Sequence, residues 1–143
     1  MVYVDTSVLV ALHVNEPNSQ LAEQWYAKCK QPIVSAQWCV TEFASALGIK
    51  VRTGQISVEQ SNAAWQMFVR QCTNDLQLVQ VEASLFHKAA LLTLDSESKL
   101  RAGDSLHLAC AIDLKVSAMA SFDEVLASQC ERFKMKQVFS PRK

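Results

Sequence analysis

The apolar positions Val2, Tyr3 and Val4 form a short block that stops at Asp5. Similar short apolar or alternating runs recur along the chain: Ile33 to Ser35 after Pro32, LQLVQV at 76–81, VSAMASFD at 116–123 and KQVFS at 136–140. Each reads as a strand. Between them the apolar positions take helical spacing. Ser7 to His13 opens a helix that NEPNS interrupts, and Ser19 caps a second one carrying Leu21, Ala22, Trp25 and Cys29 on one face. AQWCVTEFASALGIKV buries Val40, Phe43, Ala44, Leu47 and Val51 and ends at Arg52-Thr53-Gly54. Ser57, with Gln60 three positions on, is the signature of a capping box and starts SVEQSNAAWQMFVRQC. EASLFHKAALLTLD is a further helix, SESKLRAGD a polar connection, SLHLACAIDLK a helix opened by Asp104, and EVLASQCERF the last helix.

Short strands alternating with helices predict an α/β protein, a three-layer α/β/α sandwich around a short central parallel sheet. The sequence has no repeat, low-complexity tract or linker, so residues 1–143 read as one domain. Half the residues are hydrophobic and 20% charged, which suits a folded core. The formal net charge is +0, so a polyanion site has to be local. The five cysteines, an odd number with no CxxC pair, read as reduced thiols of a cytoplasmic protein. No signal-peptide pattern or membrane-length apolar run is present.

Charge enters the picture at the strand ends. Ligand sites of open parallel sheets collect outside the C-terminal ends of the strands. Asp5 and Asp123 fall at two such ends, Asp104 comes after a polar connection, and Glu42 stands between Val40 and Phe43 on an otherwise apolar helical face. Taken singly, Asp5 reads more readily as a helix cap and Asp104 as a first-turn acid favoured by the helix dipole, and Asp123 is placed to start the last helix. Taken together, four convergent carboxylates repel one another unless a proton or cation is shared. Hard oxygen donors suit Mg²⁺, whose remaining positions go to water and phosphate oxygens, the setting of phosphoryl chemistry. Thr6, Ser7 and Ser121 add hydroxyls able to orient ligands or water.

The blocks VYVDTSVLV, VTEFASAL, LRAGDSLHLACA and SFDEVLA, in that order over nearly the whole chain, resemble the PIN-domain ribonucleases, and most closely the VapC-type toxins of toxin–antitoxin pairs. The resemblance implies a PIN-like fold and a metal-dependent endoribonuclease, the toxin of a type II pair. It implies an acidic pocket of Asp5, Glu42, Asp104 and Asp123 that binds Mg²⁺ or Mn²⁺ and hydrolyses RNA, with Asp5 and Asp104 the most direct ligands. Ser121 stands where the family usually has Thr and keeps the hydroxyl. A homodimer and a cognate antitoxin, whose C-terminal segment enters or covers the cleft, are implied as well.

Other residues carry weaker signals. His107, one helical turn after Asp104, is within reach of hydrogen-bonding it, although such a histidine is more often a packing residue. Lys50, Arg52, Lys99 and Arg101 flank the acids and are candidates to hold RNA phosphates. Arg132, Lys134, Lys136, Arg142 and Lys143 make the C-terminal segment basic. Trp25, Trp38 and Trp65 read as core or interface, and AAWQMF as core or a groove for an antitoxin helix. Two alternatives stand beside the toxin: a PIN nuclease of RNA processing outside a toxin pair, and a haloacid-dehalogenase-like phosphatase. The second needs an acid two residues after Asp5, where Ser7 stands, so it ranks far behind. A non-catalytic acidic interaction domain would differ from all three by lacking metal dependence.

Overall fold

The computed structural model describes residues 1–139. The expected alternation is present as β1 (Val2–Val4), α1 (Thr6–His13), α2 (Ser19–Lys28), β2 (Ile33–Ala36), α3 (Trp38–Arg52), α4 (Val58–Asn74), β3 (Leu76–Val79), α5 (Ala83–Leu94), α6 (Ala102–Leu114), β4 (Ala118–Ala120), α7 (Glu124–Ser128) and β5 (Lys136–Gln137). The strands form one five-stranded sheet in the order β3-β2-β1-β4-β5, and every pairing is parallel. The α/β prediction therefore holds.

Side chains alternate across the sheet, and this splits the core in two. Val2 and Val4 pack with Val8, Leu9, Phe43, Leu47 and Phe68 from α1, α3 and α4. Tyr3, between them, points to the opposite face and packs with Leu85, Leu108, Cys110 and Leu126 from α5, α6 and α7. Helices thus cover both faces, which accounts for strands that are buried along their whole length: β1 and β2 have no exposed position.

Strand order reverses at β1. From β1 the chain moves outward to β2 and β3, and then α5 and α6 carry it back to β4 on the other side of β1. This is the switch point at which two adjacent strand ends diverge and leave a crevice. Val4 pairs with Ala120, so the next residue of each strand, Asp5 and Ser121, leaves the sheet at one rim. The Asp5 N–H still donates to the Ala120 carbonyl at 3.1 Å, which ties that rim together.

Several boundaries differ from the sequence reading. VSAMASFD pairs only through Ala118–Ala120, because beyond Ala120 the chain turns: Ser121 Oγ accepts from the Asp123 N–H, and Asp123 caps α7. EVLASQCERF breaks after Ser128 into a single tight turn over Glu131–Phe133. Asp104 does not open α6: Arg101 occupies the cap position and Asp104 lies in the first turn. The capping box at Ser57 and Gln60 forms with both hydrogen bonds, at 3.0 and 2.8 Å. Trp65 and Phe68 join Phe43 in an aromatic cluster whose Phe43–Phe68 centroids are 4.0 Å apart. Within AAWQMF, core packing thus claims the aromatic pair, and Met67 is left exposed. No described helix is long and apolar enough to cross a membrane. All five cysteines are free thiols.

Candidate active site

Asp5 is the centre of the rim. It caps α1, accepting from the Val8 N–H at 3.3 Å, so the capping role open from sequence is real. It is also only 4% exposed, which no ordinary cap requires. Two hydroxyls hold the carboxylate: Ser7 Oγ donates to Oδ1 at 2.6 Å and Ser121 Oγ to Oδ2 at 2.5 Å. Each hydroxyl is itself placed by backbone, since the Phe122 N–H donates to Ser7 Oγ and the Asp123 N–H to Ser121 Oγ, both at 3.0 Å. Burial nevertheless pushes the Asp5 carboxyl above its ordinary range, against the pull of the nearby His107 ring and these hydrogen bonds.

Asp104 enters from the first turn of α6. Its carboxyl is pushed up to about 6, first by burial and then by the neighbouring negative charge of Asp123, with Asp5 adding to it. Arg101 and His107 oppose this but do not cancel it. The structure thus brings Asp5, Asp104 and Asp123 into one electrostatic group. Asp123 also caps α7, accepting from the Leu126 N–H at 2.9 Å.

Glu42, on α3, is chemically distinct from that group. Its Oε1 accepts from Thr6 Oγ1 at 2.7 Å and from His107 Nε2 in a short contact. Burial favours the neutral form, yet the hydrogen bond and charge of His107, with help from Thr6 and Trp38, leave this carboxyl below its usual value. The Trp38 indole N–H is buried close by but is outside hydrogen-bonding geometry with any partner. Glu42 and Asp104 are therefore driven in opposite directions, which assigns different protonation behaviour to two acids of one site.

His107 is 2% exposed and bonds to Glu42, not to Asp104 as its helical spacing allowed. Its other nitrogen, Nδ1, lies 2.6 Å from the phenol oxygen of Tyr3, a residue with no surface exposure. Tyr3, Trp38 and Gly103 carry no signal in the motif reading. The one clue was glycine directly before Asp104, in a helix turn where glycine is unfavourable. A Cβ at Gly103 would lie 2.9 Å from Glu42 Oε2 and 3.3 Å from Trp38 Nε1, so this glycine permits the start of α6 to approach α3.

A cleft of about 660 Å³ opens beside Glu42, lined among others by Thr6, Ser7, Trp38, Glu42, Gly103 and Phe122. Lys50 closes its far end in an ion pair with Glu16. Across Phe122 lies a second hollow of about 480 Å³ that contains Ser121 and Asp123. Arg101 is exposed and acts on Asp104 through its charge. Lys99 is exposed in the connection before α6, with φ 58°. Arg52 folds back over Gly48. Arg132 pairs with Asp95 at 2.9 Å and stacks on Phe133. Of the basic C-terminal residues, Arg142 and Lys143 lie outside the described segment.

The group such a site implies is a hard divalent cation. Among the described residues no group of three or more His, Cys, Asp or Glu side chains is arranged to hold a metal ion. Mg²⁺ does not need one, because one or two carboxylates with waters and phosphate oxygens complete its shell. The donors Asp5, Asp104 and Asp123 are all oxygen ligands; burial raises the Asp5 and Asp104 carboxyls, and the negative charge of Asp123 and Asp5 adds to the rise at Asp104. The residues fit the ion.

The chain is similar in structure to VapC20 of Mycobacterium tuberculosis, described as a sarcin–ricin loop cleaving toxin, at 16% identity and a TM-score of 0.75, over 90% of this chain and 94% of that one. It is similar to VapBC2 of Rickettsia felis, solved with a DNA fragment from its promoter, at 15% identity and a TM-score of 0.64, over 96% and 97% of the two chains. A toxin–antitoxin complex from Klebsiella pneumoniae matches at 13% identity and a TM-score of 0.59, over 85% of each chain. No curated protein matches the sequence. At these identities the likeness shows a shared fold, and it is the same fold that the family comparison finds. The model of the PIN domain matches residues 2–131, a span that holds all four acids, so the chain belongs to the PIN domain family.

Proposed function

We propose that the protein is a divalent-metal-dependent endoribonuclease and the toxin of a type II toxin–antitoxin pair. The observation that carries the nuclease reading is Asp104, pushed up to about 6 among Asp5 and Asp123 at the switch point of a parallel sheet. That arrangement stores unneutralised negative charge where a cation and a phosphodiester would meet. Asp5 and Asp104 would hold Mg²⁺ or Mn²⁺ most directly, with Asp123 and Glu42 completing the acidic wall. When bound, the ion supplies a lowered water pKa and charge neutralisation at the phosphate. The chain supplies the rest. Ser7 and Ser121 fix the Asp5 carboxylate, Glu42 is kept ionised and able to accept a proton, and the adjoining cleft receives the RNA strand, with Arg101, Lys99 and Lys50 nearest to its phosphates.

The toxin assignment is supported by the toxins and toxin–antitoxin complexes among the similar structures. A cytoplasmic location, a homodimer and an inhibitory antitoxin that enters or covers the cleft complete the reading. The test pairs an RNA digest, with and without chelator, with expression of wild type and Asp5→Asn in cells. Metal-dependent cleavage and growth arrest by wild type alone support the proposal. Equal arrest by both proteins, or cleavage indifferent to chelation, refutes it. Metal-dependent cleavage without arrest assigns the nuclease to RNA processing outside a toxin pair.

A further inference from the structure

The pair Tyr3 and His107 is buried at the site, yet neither residue bears a charge required by the acid set. Tyr3 leaves β1 on the face opposite Val2 and Val4, and its oxygen accepts from the Ala36 N–H of β2 at 3.2 Å. The same oxygen lies 2.6 Å from His107 Nδ1, so the ring is pinned between the phenol and the Glu42 carboxylate. A carboxylate oxygen only accepts, so the hydrogen bond to it places a proton on Nε2. Nε2 faces Glu42 Oε1, which Thr6 also bonds. One oxygen of Glu42 is thereby saturated by two donors from two elements. Oε2 is left in the gap that Gly103 opens beside the cleft.

We propose that Tyr3 and His107 form a positioning relay, anchored on the backbone of β2, that holds the Glu42 carboxylate and aims its Oε2 at the substrate. The inference rests on the nuclease reading for its catalytic consequence, but the relay itself is a property of the protein without metal. Neither residue touches the reacting atoms. Both act through Glu42, as an orienting partner does for a ligand carboxylate or imidazole in other sites. Three residues from β1, α6 and α3 are joined to the start of α1 through one carboxylate oxygen, so the geometry of Glu42 depends on sheet register as well as on its own helix.

The experiment uses the full chain in two arms. In the first, nitrogen NMR of the metal-free protein at neutral pH reads the His107 ring directly, with His107→Gln used to assign its signals. The expected state is a ring protonated at Nε2, with the Nδ1 signal shifting in Tyr3→Phe. A ring without a proton on Nε2, or an Nδ1 signal that Tyr3→Phe leaves in place, overturns the relay. In the second arm, RNA cleavage is measured for His107→Leu, His107→Gln and Tyr3→Phe, each checked for native melting and near-UV dichroism. The expected result is a kcat loss of roughly 10- to 100-fold in His107→Leu with KM nearly unchanged. His107→Gln, whose amide can still donate to Glu42, should restore most of the lost rate. Equal kcat in a folded His107→Leu, or an equal loss in His107→Gln, overturns the positioning role. Asp104→Asn serves as the control for the nuclease reading. If it cleaves like wild type that reading fails, while the NMR arm still decides the relay.

Discussion

Ser121 and Asp5 stand 116 positions apart in the chain, yet the Ser121 hydroxyl donates to Asp5 Oδ2 at 2.5 Å where β1 and β4 end side by side. The contact closes the rim, since Ser7 holds the other oxygen from within α1. It also makes the cap of α1 and the wall of the acidic site the same carboxylate. Ser121→Ala leaves a buried carboxylate oxygen short of a donor, which costs about 1–3 kcal/mol. A lowered melting temperature and weaker Mg²⁺ binding by titration are expected in this variant. Ser121→Thr, which keeps the hydroxyl, should match wild type in both.

Asp104 makes metal-free stability depend on pH in a set direction. Its folded carboxyl holds a proton up to about 6 against an ordinary 3.8, so between those values the folded state binds more protons than the unfolded chain. Stability then falls as pH rises from about 4 to 6 and is flat above, by up to about 3 kcal/mol before solvent screening reduces it. Urea unfolding across this range should show the slope in wild type and a shallower one in Asp104→Asn, where the raised Asp5 carboxyl still contributes. The variant should be the more stable protein at pH 7 without metal. Mg²⁺ should raise the wild-type midpoint more at pH 7.5 than at pH 5 and should barely move Asp104→Asn.

Gly103→Ala separates stability from function. Alanine improves helix propensity by about 0.5–1 kcal/mol, which offsets part of the steric cost. Its Cβ meets Glu42 Oε2 at 2.9 Å, and Glu42 cannot swing aside without releasing Thr6 or His107. We expect a melting temperature within a few degrees of wild type and a kcat at least about tenfold lower, in the range seen when a supporting contact is lost. Wild-type kcat with the substitution in place would show that Glu42 Oε2 is idle.

Lys50 gives an RNA-contact prediction distinct from a structural one. Its ion pair with Glu16 is partly exposed, so Lys50→Ala should change folding stability by less than about 1 kcal/mol. If the lysine also meets a phosphate, the salt dependence of RNA binding should become shallower by about one unit of slope, with kcat preserved. An unchanged salt slope would confine Lys50 to its bond with Glu16.

The elements and the acids were legible because both are written locally. Short apolar runs ending on aspartate, capping residues and helical periodicity depend on neighbours in sequence, and they pointed to Asp5, Glu42, Asp104 and Asp123 as acids able to converge on one cleft. The spacing of His107 was legible too, but it pointed to the wrong acid: one turn from Asp104 in α6, the ring instead reaches Glu42 of α3. Helix periodicity tells which residues share a face and not which foreign side chain that face meets.

What the sequence by itself determined was the alternation of strand and helix, which arises from local propensity and burial, while its motif order carried the resemblance to the PIN-domain family and named the acids as candidates. Only the tertiary structure decided which hydroxyls hold Asp5, why Asp104 is driven up while Glu42 is driven down, that Tyr3 is the anchor of His107, and that Gly103 opens the gap beside Glu42. The physical reason is common to all four. A charge's energy is set by what surrounds it within a few ångströms, and much of that surrounding comes from distant elements, 36 residues away for Thr6 and Glu42 and 116 for Asp5 and Ser121, brought together by strand register and helix docking.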